Sequence, residues 1–348
     1  MNYKKIKFYG ILLIFFLITV SISAQTGEKI PPFMGDWEGS FIETEGDKYI
    51  VARVIGLGKD EYRVQIIQEF DKRAVKLVDV VAVFENDKLI FEEGDWSGEI
   101  TNTSFRGKGL PGKGAPKNYT LNKIERKSPT LGRPAPADAK ILFDGTDLSK
   151  WIHPDRPDEN PVWKVHDGIL EMVTGGVVNG KKRKNDLITK DKFSDLEMHL
   201  EFMIPYQPAK RDQGRGNSGL FIQNFYEIQI LDSYGLDGLW NECGALYKFS
   251  PPKVNMCFPP GQWQTYDINY TAPKFDASGN KISNAVISVS HNGVLIHSQT
   301  EILHPTAHSQ KARMSDKVPQ NPDVIKIQDH NNIVMFRNIW IRDLSENK

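Results

Sequence analysis

The sequence predicts an all-β protein in two parts, a small antiparallel β domain followed by a C-terminal jelly-roll β-sandwich, and three observations carry that prediction. Short runs rich in β-branched residues recur between clusters of turn residues along most of the 348-residue chain. Few segments show the 3.6-residue apolar spacing of an amphipathic helix. The stretch SPTLGRPAPADAK, with three prolines and no apolar periodicity, cannot continue a helix or a strand and divides the chain, so residues 127–139 read as a linker.

Residues 30–126 form the first part. Runs such as KYIVARVIGL, EYRVQIIQEF and VKLVDVVAVF alternate or cluster apolar residues between the turn signals GKD, DKR and END, as antiparallel strands do. Gly35-Asp36-Trp37-Glu38-Gly39 is echoed by Gly94-Asp95-Trp96-Ser97-Gly98; a buried Trp beside a glycine bend at a barrel corner explains both copies. The glycine-rich tip GKGLPGKGAPK lacks the Lys-Ser/Thr pair of a phosphate cradle and reads as a loop.

Residues 140–345 form the second part. ILFDG, WKVHDGILEMV, DLEMHLEFMI, NSGLFIQ, YEIQILDS, WQTYDINYT, NAVISVSHNGVLIHSQTEI, IKIQDH and MFRNIWIRDL supply enough short strands for two packed antiparallel sheets. In VSHNGVLI, Asn292-Gly293 supplies the positive φ angles of a two-residue hairpin turn.

Residues 1–24 read as a secretory signal peptide. Lys4, Lys5 and Lys7 precede an apolar run from Ile11 to Ile22 that ends in Ser23 and Ala24, and a run of about a dozen residues is too short to span a bilayer permanently. No cysteine stands at the cleavage point for lipid attachment, so an exported, periplasmic protein without a stable membrane anchor is expected. Removing those three lysines from the 44 basic residues leaves 41 against 44 acidic ones, a formal charge of −3 that recruits no nucleic acid. Cys243 and Cys257 are too few for a disulfide framework and can be a pair or two buried thiols.

Strand parity sorts the polar residues. In YEIQILD, Ile228 and Ile230 belong to the inter-sheet core, which places Glu227 and Gln229 together on the other face, about 7 Å apart. In IKIQDH, Ile325 and Ile327 are buried by the same logic, leaving Lys326, Gln328 and His330 on the opposite side. The loop 232–260 carries Asp232, Tyr234, Trp240, Glu242, Tyr247 and Lys253; its length and its aromatic faces beside carboxylates suit a sugar site. No His-x-x-x-His or Cys-x-x-Cys zinc pair and no Gly-x-Ser-x-Gly elbow occurs. His297, His304 and His308 read as exposed. A hard divalent ion on Glu227, Gln229 and His330 stays open, because oxygen-rich sites need no regular spacing.

From about Lys140 to Leu344 the chain resembles the 3-keto-disaccharide (3-keto-glycoside) hydrolase domain family. The landmarks are LFDGTDLSKW, WKVHDGIL, RGNSGLFIQ, YEIQILDS, GQWQTYDI, HNGVLIH and IQDHNNIVMFRNIWIRDL, in that order. The resemblance implies a concanavalin-like jelly roll with its site on the concave sheet. Two departures touch the pocket rim: Asn331 where many members have glycine after the histidine, and Gly244-Ala245-Leu246-Tyr247 following Glu242-Cys243.

The implied chemistry starts from a ketone at C3, which acidifies the C2 proton, so that a base can remove it and the C1 substituent can leave by elimination. Water addition then gives net hydrolysis. On this expectation Glu227 or His330 is the base, and the other, with Asp232 and Gln229, polarises the sugar oxygens. Asn217, Gln328, Glu242, Tyr247 and Lys253 are the further substrate-binding candidates, and a sugar 3-oxidoreductase is the expected functional partner. Two other readings stay open, a carbohydrate-binding jelly roll and a conventional glycosidase, although no Glu-x-Asp-x-x-Glu strand is present. The N-terminal domain can be an accessory, a cap or a spacer.

Overall fold

A computed structural model describes residues 29–345 except 43–47, 74, 176, 179–180, 183 and 307–317. The signal-peptide reading and His308 lie outside the described residues. Among those residues no α-helix occurs, only a 3₁₀ turn at Asp212–Gly214, and no helix is long and apolar enough to cross a membrane.

The first part is a closed eight-stranded up-and-down barrel: β1 Gly35–Phe41, β2 Tyr49–Gly58, β3 Glu61–Ile67, β4 Lys76–Glu85, β5 Lys88–Glu93, β6 Trp96–Ile100, β7 Phe105–Gly109 and β8 Lys117–Ile124, with β8 pairing back onto β1. Lys59-Asp60 and Asn86-Asp87 turn their hairpins with positive φ, which the short polar side chains of Asp60, Asn86 and Asp87 ease. Trp37 and Trp96 both fill the barrel interior, and glycines make the room. A Cβ on Gly98 would meet the Phe91 ring at 2.3 Å and one on Gly109 the Trp96 ring at 2.2 Å.

The second part is a sandwich. Its short strands are β9 Lys140–Phe143, β10 Trp151–Ile152, β11 Lys164–His166, β12 Ile169–Glu171, β13 Val177–Val178, β14 Lys181–Lys182 and β15 Leu187–Thr189. They are followed by β16 Leu196–Met203, β17 Ser218–Ile222, β18 Tyr226–Ile230, β19 Trp263–Thr271, β20 Lys274–Phe275, β21 Lys281–Ser283, β22 Ala285–His291, β23 Val294–Ile302, β24 Lys326–Ile327 and β25 Met335–Asp343. One sheet runs β10-β15-β24-β17-β18; the other runs β11-β12-β25-β16-β19-β22-β23, with β9 on β25. Leu220, Ile222, Ile228, Ile230 and Ile327 of the first sheet pack against Leu200, Phe202, Ile268 and Ile287 of the second in one continuous core.

The β22–β23 hairpin turns on Asn292 and Gly293 at φ of 50° and 81°. Gly293 is needed twice, since a Cβ there would also strike Pro129 at 2.3 Å. Pro129 belongs to the proline-rich segment, which joins the domains but is packed along the outside of the larger sheet. Thr130 Oγ1 donates to Asp267 Oδ2 at 2.6 Å, the Gly132 amide to Glu201 Oε1 at 2.6 Å, and Arg133 reaches both Asp267 and Glu197. Beneath it, fully buried His199 sits 2.8 Å from Asp267 and stacks on Trp340. Glu201 accepts from Arg337 at 2.6 Å and Asn338 at 2.9 Å. Burial opposes its ionisation, but His199, Asn338, Arg337 and the Gly132 amide outweigh that and hold it down at about 2.

The barrel docks on the loops that follow β16 and β18. Tyr234 donates to buried Asp36 at 2.8 Å, Gln65 to the Gly235 carbonyl at 2.9 Å and Arg73 to the Gly238 carbonyl at 3.0 Å, while Met34 and Ile55 pack on Tyr206 and Tyr234. The barrel therefore buttresses the walls next to the smaller sheet.

Candidate active site on the smaller sheet

Strand pairing aligns the non-core residues of the smaller sheet in rows. Glu227 on β18 stands opposite Phe221 on β17, Phe221 opposite Lys326 on β24, and Lys326 opposite Ile188 on β15. In the adjacent row Gln229 stands opposite Gly219, whose carbonyl accepts from the Gln328 amide at 2.9 Å. A Cβ added to Gly219 would lie 2.6 Å from Glu227 Oε1 and 3.0 Å from the Phe221 ring, so the missing side chain makes the room that the carboxyl occupies.

Glu227 is only 6% exposed, and among the described residues no hydrogen bond or ion pair reaches its carboxyl group. Its backbone is pinned, the amide donating to Thr306 Oγ1 at 2.5 Å and the carbonyl accepting from Tyr247 at 3.0 Å. Burial pushes the carboxyl up to about 8, and Lys326 and Lys184 offset this only in part. Lys326 rests its ammonium 3.8 Å above the centre of the Phe221 ring. Burial lowers its pKa, with Asp186 and Glu227 acting in the opposite sense. Asp186 is raised by burial and accepts from the Asp329 amide at 2.8 Å. The face thus carries a protonatable acid and a weakly paired cation on either side of an aromatic floor, an arrangement fit for moving a proton on a bound molecule.

The structure places the other expected residues unevenly. Gln229 and Asn217 are buried beside the face, but both bond to Gln213: Gln229 Nε2 donates to Gln213 Oε1 at 3.1 Å, and Asn217 Nδ2 to the Gln213 carbonyl at 2.6 Å. Gln328 is half-buried in the Gly219 row. His330 is exposed at the end of the β24 segment, with no hydrogen bond or ion pair to Glu227 among the described residues. Asp329 fixes that turn, its carboxylate accepting from the amides of Gly175, Asn185 and Asn331. Asn331 takes φ of 59°, a left-handed conformation that asparagine tolerates better than most side chains, so the departure from glycine preserves the turn.

Three of the expected site residues are corrected. Asp232 is held by Arg215, whose Nε donates at 2.5 Å and whose Nη2 reaches the barrel carbonyl of Gly56; its carboxylate braces the domain junction and leaves no group for a substrate. Glu242 accepts from the amides of Gly238 and Leu239 and caps its own loop. Lys253 is exposed on the far side, where its amide donates to Ile296 of β23 and its carbonyl meets Arg73. The loop 232–260 has divided labour: residues 244–247 lie along β18 through backbone hydrogen bonds with Gln229 and Glu227, whereas 253–258 seal the sandwich edge. Tyr247 stays close to the site beside Glu227, and Trp240 is 46% exposed next to it, both rings lying within 6 Å of the Lys248 ammonium. His297 is buried against the Gly244 carbonyl and pushed down to about 4 by desolvation, contrary to the exposed reading.

No group of three or more His, Cys, Asp or Glu side chains converges as metal ligands among the described residues. Gln229 Oε1 already accepts from the Ile230 amide at 3.1 Å, so Glu227, Gln229 and His330 do not form a ready ligand set. Strand parity placed Lys326 but gave it no role, and it missed two further residues. Lys326 had the same alternation signal as Gln328, but Asp186 and Gln213 enter from loops that carry no such pattern.

Comparison with known proteins adds the family. A protein of Parabacteroides distasonis ATCC 8503 with a crystal structure named "putative glycosyl hydrolase" is 38% identical over 60% of this chain and 85% of its own, with a TM-score of 0.52. A second from that organism, under the same name, is 21% identical over 60% and 94%, with a TM-score of 0.44. No curated protein matches the chain. The family model described as the 3-keto-alpha-glucoside-1,2-lyase-like domain matches residues 138–342, more than half of the chain, and the sandwich with its Glu227 face therefore belongs to that family.

Proposed function

We propose that the protein cleaves glycosides bearing a keto group at C3 by removing the C2 proton and eliminating the C1 substituent, with water addition giving net hydrolysis. The observation that carries this reading is the Glu227 carboxyl, buried, without a partner among the described residues and raised to about 8. A carboxylate so disfavoured is a stronger base than an ordinary glutamate, and a ketone-activated C–H bond needs such a base close to neutral pH. After abstraction the new carboxylic acid, or His330, exposed three residues beyond β24, returns a proton to the leaving oxygen. Tyr247 and Trp240 supply aromatic faces for the sugar or its aglycone. Export of the protein and supply of the substrate by a sugar 3-oxidoreductase belong to the same proposal.

The test is to offer a nitrophenyl 3-keto-glucoside and its unoxidised counterpart in heavy water. Nitrophenol release from the keto compound alone, with deuterium appearing at C2, is the expected result. Binding without release favours a carbohydrate-binding module, and release from both substrates favours a conventional glycosidase.

A further inference from the structure

We infer that Lys326 is the electrophilic catalyst of this site, its ammonium holding the negative charge that develops on the C3 oxygen as the C2 proton departs. The inference rests on the 3-keto-glycoside reading and assigns the half of the chemistry that Glu227 cannot perform.

Three observations converge on it. Lys326 and Glu227 occupy one row of one face, separated by the single strand that carries Phe221. Neighbouring strands lie about 4.8 Å apart, so the two backbones stand roughly 10 Å from each other with an aromatic ring as floor between them. Second, the Lys326 ammonium has three N–H donors, yet among the described residues its close contact is the Phe221 face, with no hydrogen bond or ion pair. A largely desolvated ammonium without an oxygen partner is costly unless something supplies one. Third, the Glu227 carboxyl leans into the space that Gly219 leaves free, a Cβ there lying 2.6 Å from Oε1, so the acid reaches over the strand that separates it from Lys326. A sugar set across this row, between the carboxyl and the ammonium, has its C2–H toward the one and its C3 oxygen toward the other, and C2 and C3 are neighbouring carbons of a 3-keto sugar.

The step balances without a further reagent. The C2–H bond breaks and its proton goes to the Glu227 carboxylate; the electron pair becomes the C2–C3 double bond, and the carbonyl π pair moves onto O3 beside the Lys326 ammonium. The enolate then collapses, restoring the C3 carbonyl, forming the C1–C2 double bond and expelling the C1 oxygen, which takes up a proton. Lys326 stays protonated throughout and makes no covalent bond.

The experiment compares Lys326→Met and Lys326→Arg with the wild type on the nitrophenyl 3-keto-glucoside, following kcat, KM and solvent-deuterium exchange at C2. Loss of one charge-stabilising donor costs about a hundredfold or more in rate. Lys326→Met should therefore lose at least about a hundredfold in both kcat and exchange with KM changed by less than about threefold. Lys326→Arg, which restores the charge, should recover roughly tenfold or more of that loss. Lys326→Gln carries the same expectation as the methionine variant should that one fail to fold. Retention of kcat in Lys326→Met within threefold of wild type overturns the role while leaving the reading of the site intact. A covalent adduct on Lys326 after cyanoborohydride treatment with the keto sugar overturns it in favour of an imine. A wild-type protein that neither exchanges nor releases overturns both.

Discussion

The outer faces of the two sheets use the same kinds of side chain to opposite ends. On the larger sheet, Glu201 is almost fully buried and receives the Gly132 amide, Arg337 and Asn338, with His199 3.5 Å away, which holds it at about 2. On the smaller sheet, Glu227 is just as buried, receives nothing from the described residues and is raised to about 8. Each is a glutamate on a strand facing away from the core. The lesson is that charge content does not mark the site; desolvation left unmatched by partners does, because a fold has no reason to keep such a carboxyl except for a ligand.

The sharpest way to break the comparison is to exchange each acid. Glu227→Gln should lose between about a hundredfold and ten-thousandfold in turnover of a 3-keto-glycoside while keeping the fold, checked by steady-state kinetics beside a melting curve. Glu201→Ala should behave in reverse, costing about 3 kcal/mol of stability by stranding Arg337 and the Gly132 amide, with little change in kcat per folded molecule. Denaturant titration checks that expectation. Gly219→Ala puts a methyl group 2.6 Å from Glu227 Oε1 and should cost roughly ten- to a hundredfold in rate with a modest stability change.

Reading the chain as alternating strands recovered the antiparallel strands of the first part, though not their closure into a barrel, together with the sandwich, the Asn292-Gly293 hairpin and the shared face of Glu227, Gln229 and Lys326. Those features depend on period-two patterning and turn chemistry, which are local. What parity could not show is that this face is buried. The strand face expected from alternation is walled in because residues 244–247 fold back along β18 and the barrel braces the loop behind them through contacts such as Gln65 to Gly235, 170 residues apart. Asp232 looked catalytic and Glu242 substrate-binding for the same reason: their partners, Arg215 and the Gly238 and Leu239 amides, come from loop geometry with no sequence period. Burial of His297 likewise followed from the Gly244 carbonyl arriving from that loop.

The smallest effect is one of pH, and its sign separates the two acids. Because folding raises Glu227 from 4.5 to about 8, its contribution favours the folded state below about 4.5 and is lost as pH rises toward 8. Glu201, lowered to about 2, contributes above 4.5 and loses that contribution as pH falls toward 2. Glu227→Gln should therefore melt a few degrees higher than wild type at pH 9 and show a smaller difference at pH 5, measured by calorimetry across that range.

The most direct measurement is the titration of Glu227 itself, by carbon-13 NMR of protein labelled at glutamate side-chain carboxyls, with the Glu227→Gln spectrum identifying the resonance. A midpoint near 8 is expected of a buried acid left unpartnered for a substrate. A midpoint at its ordinary 4.5 means that the carboxyl is solvated or paired after all, and contradicts its assignment as the proton-transfer group.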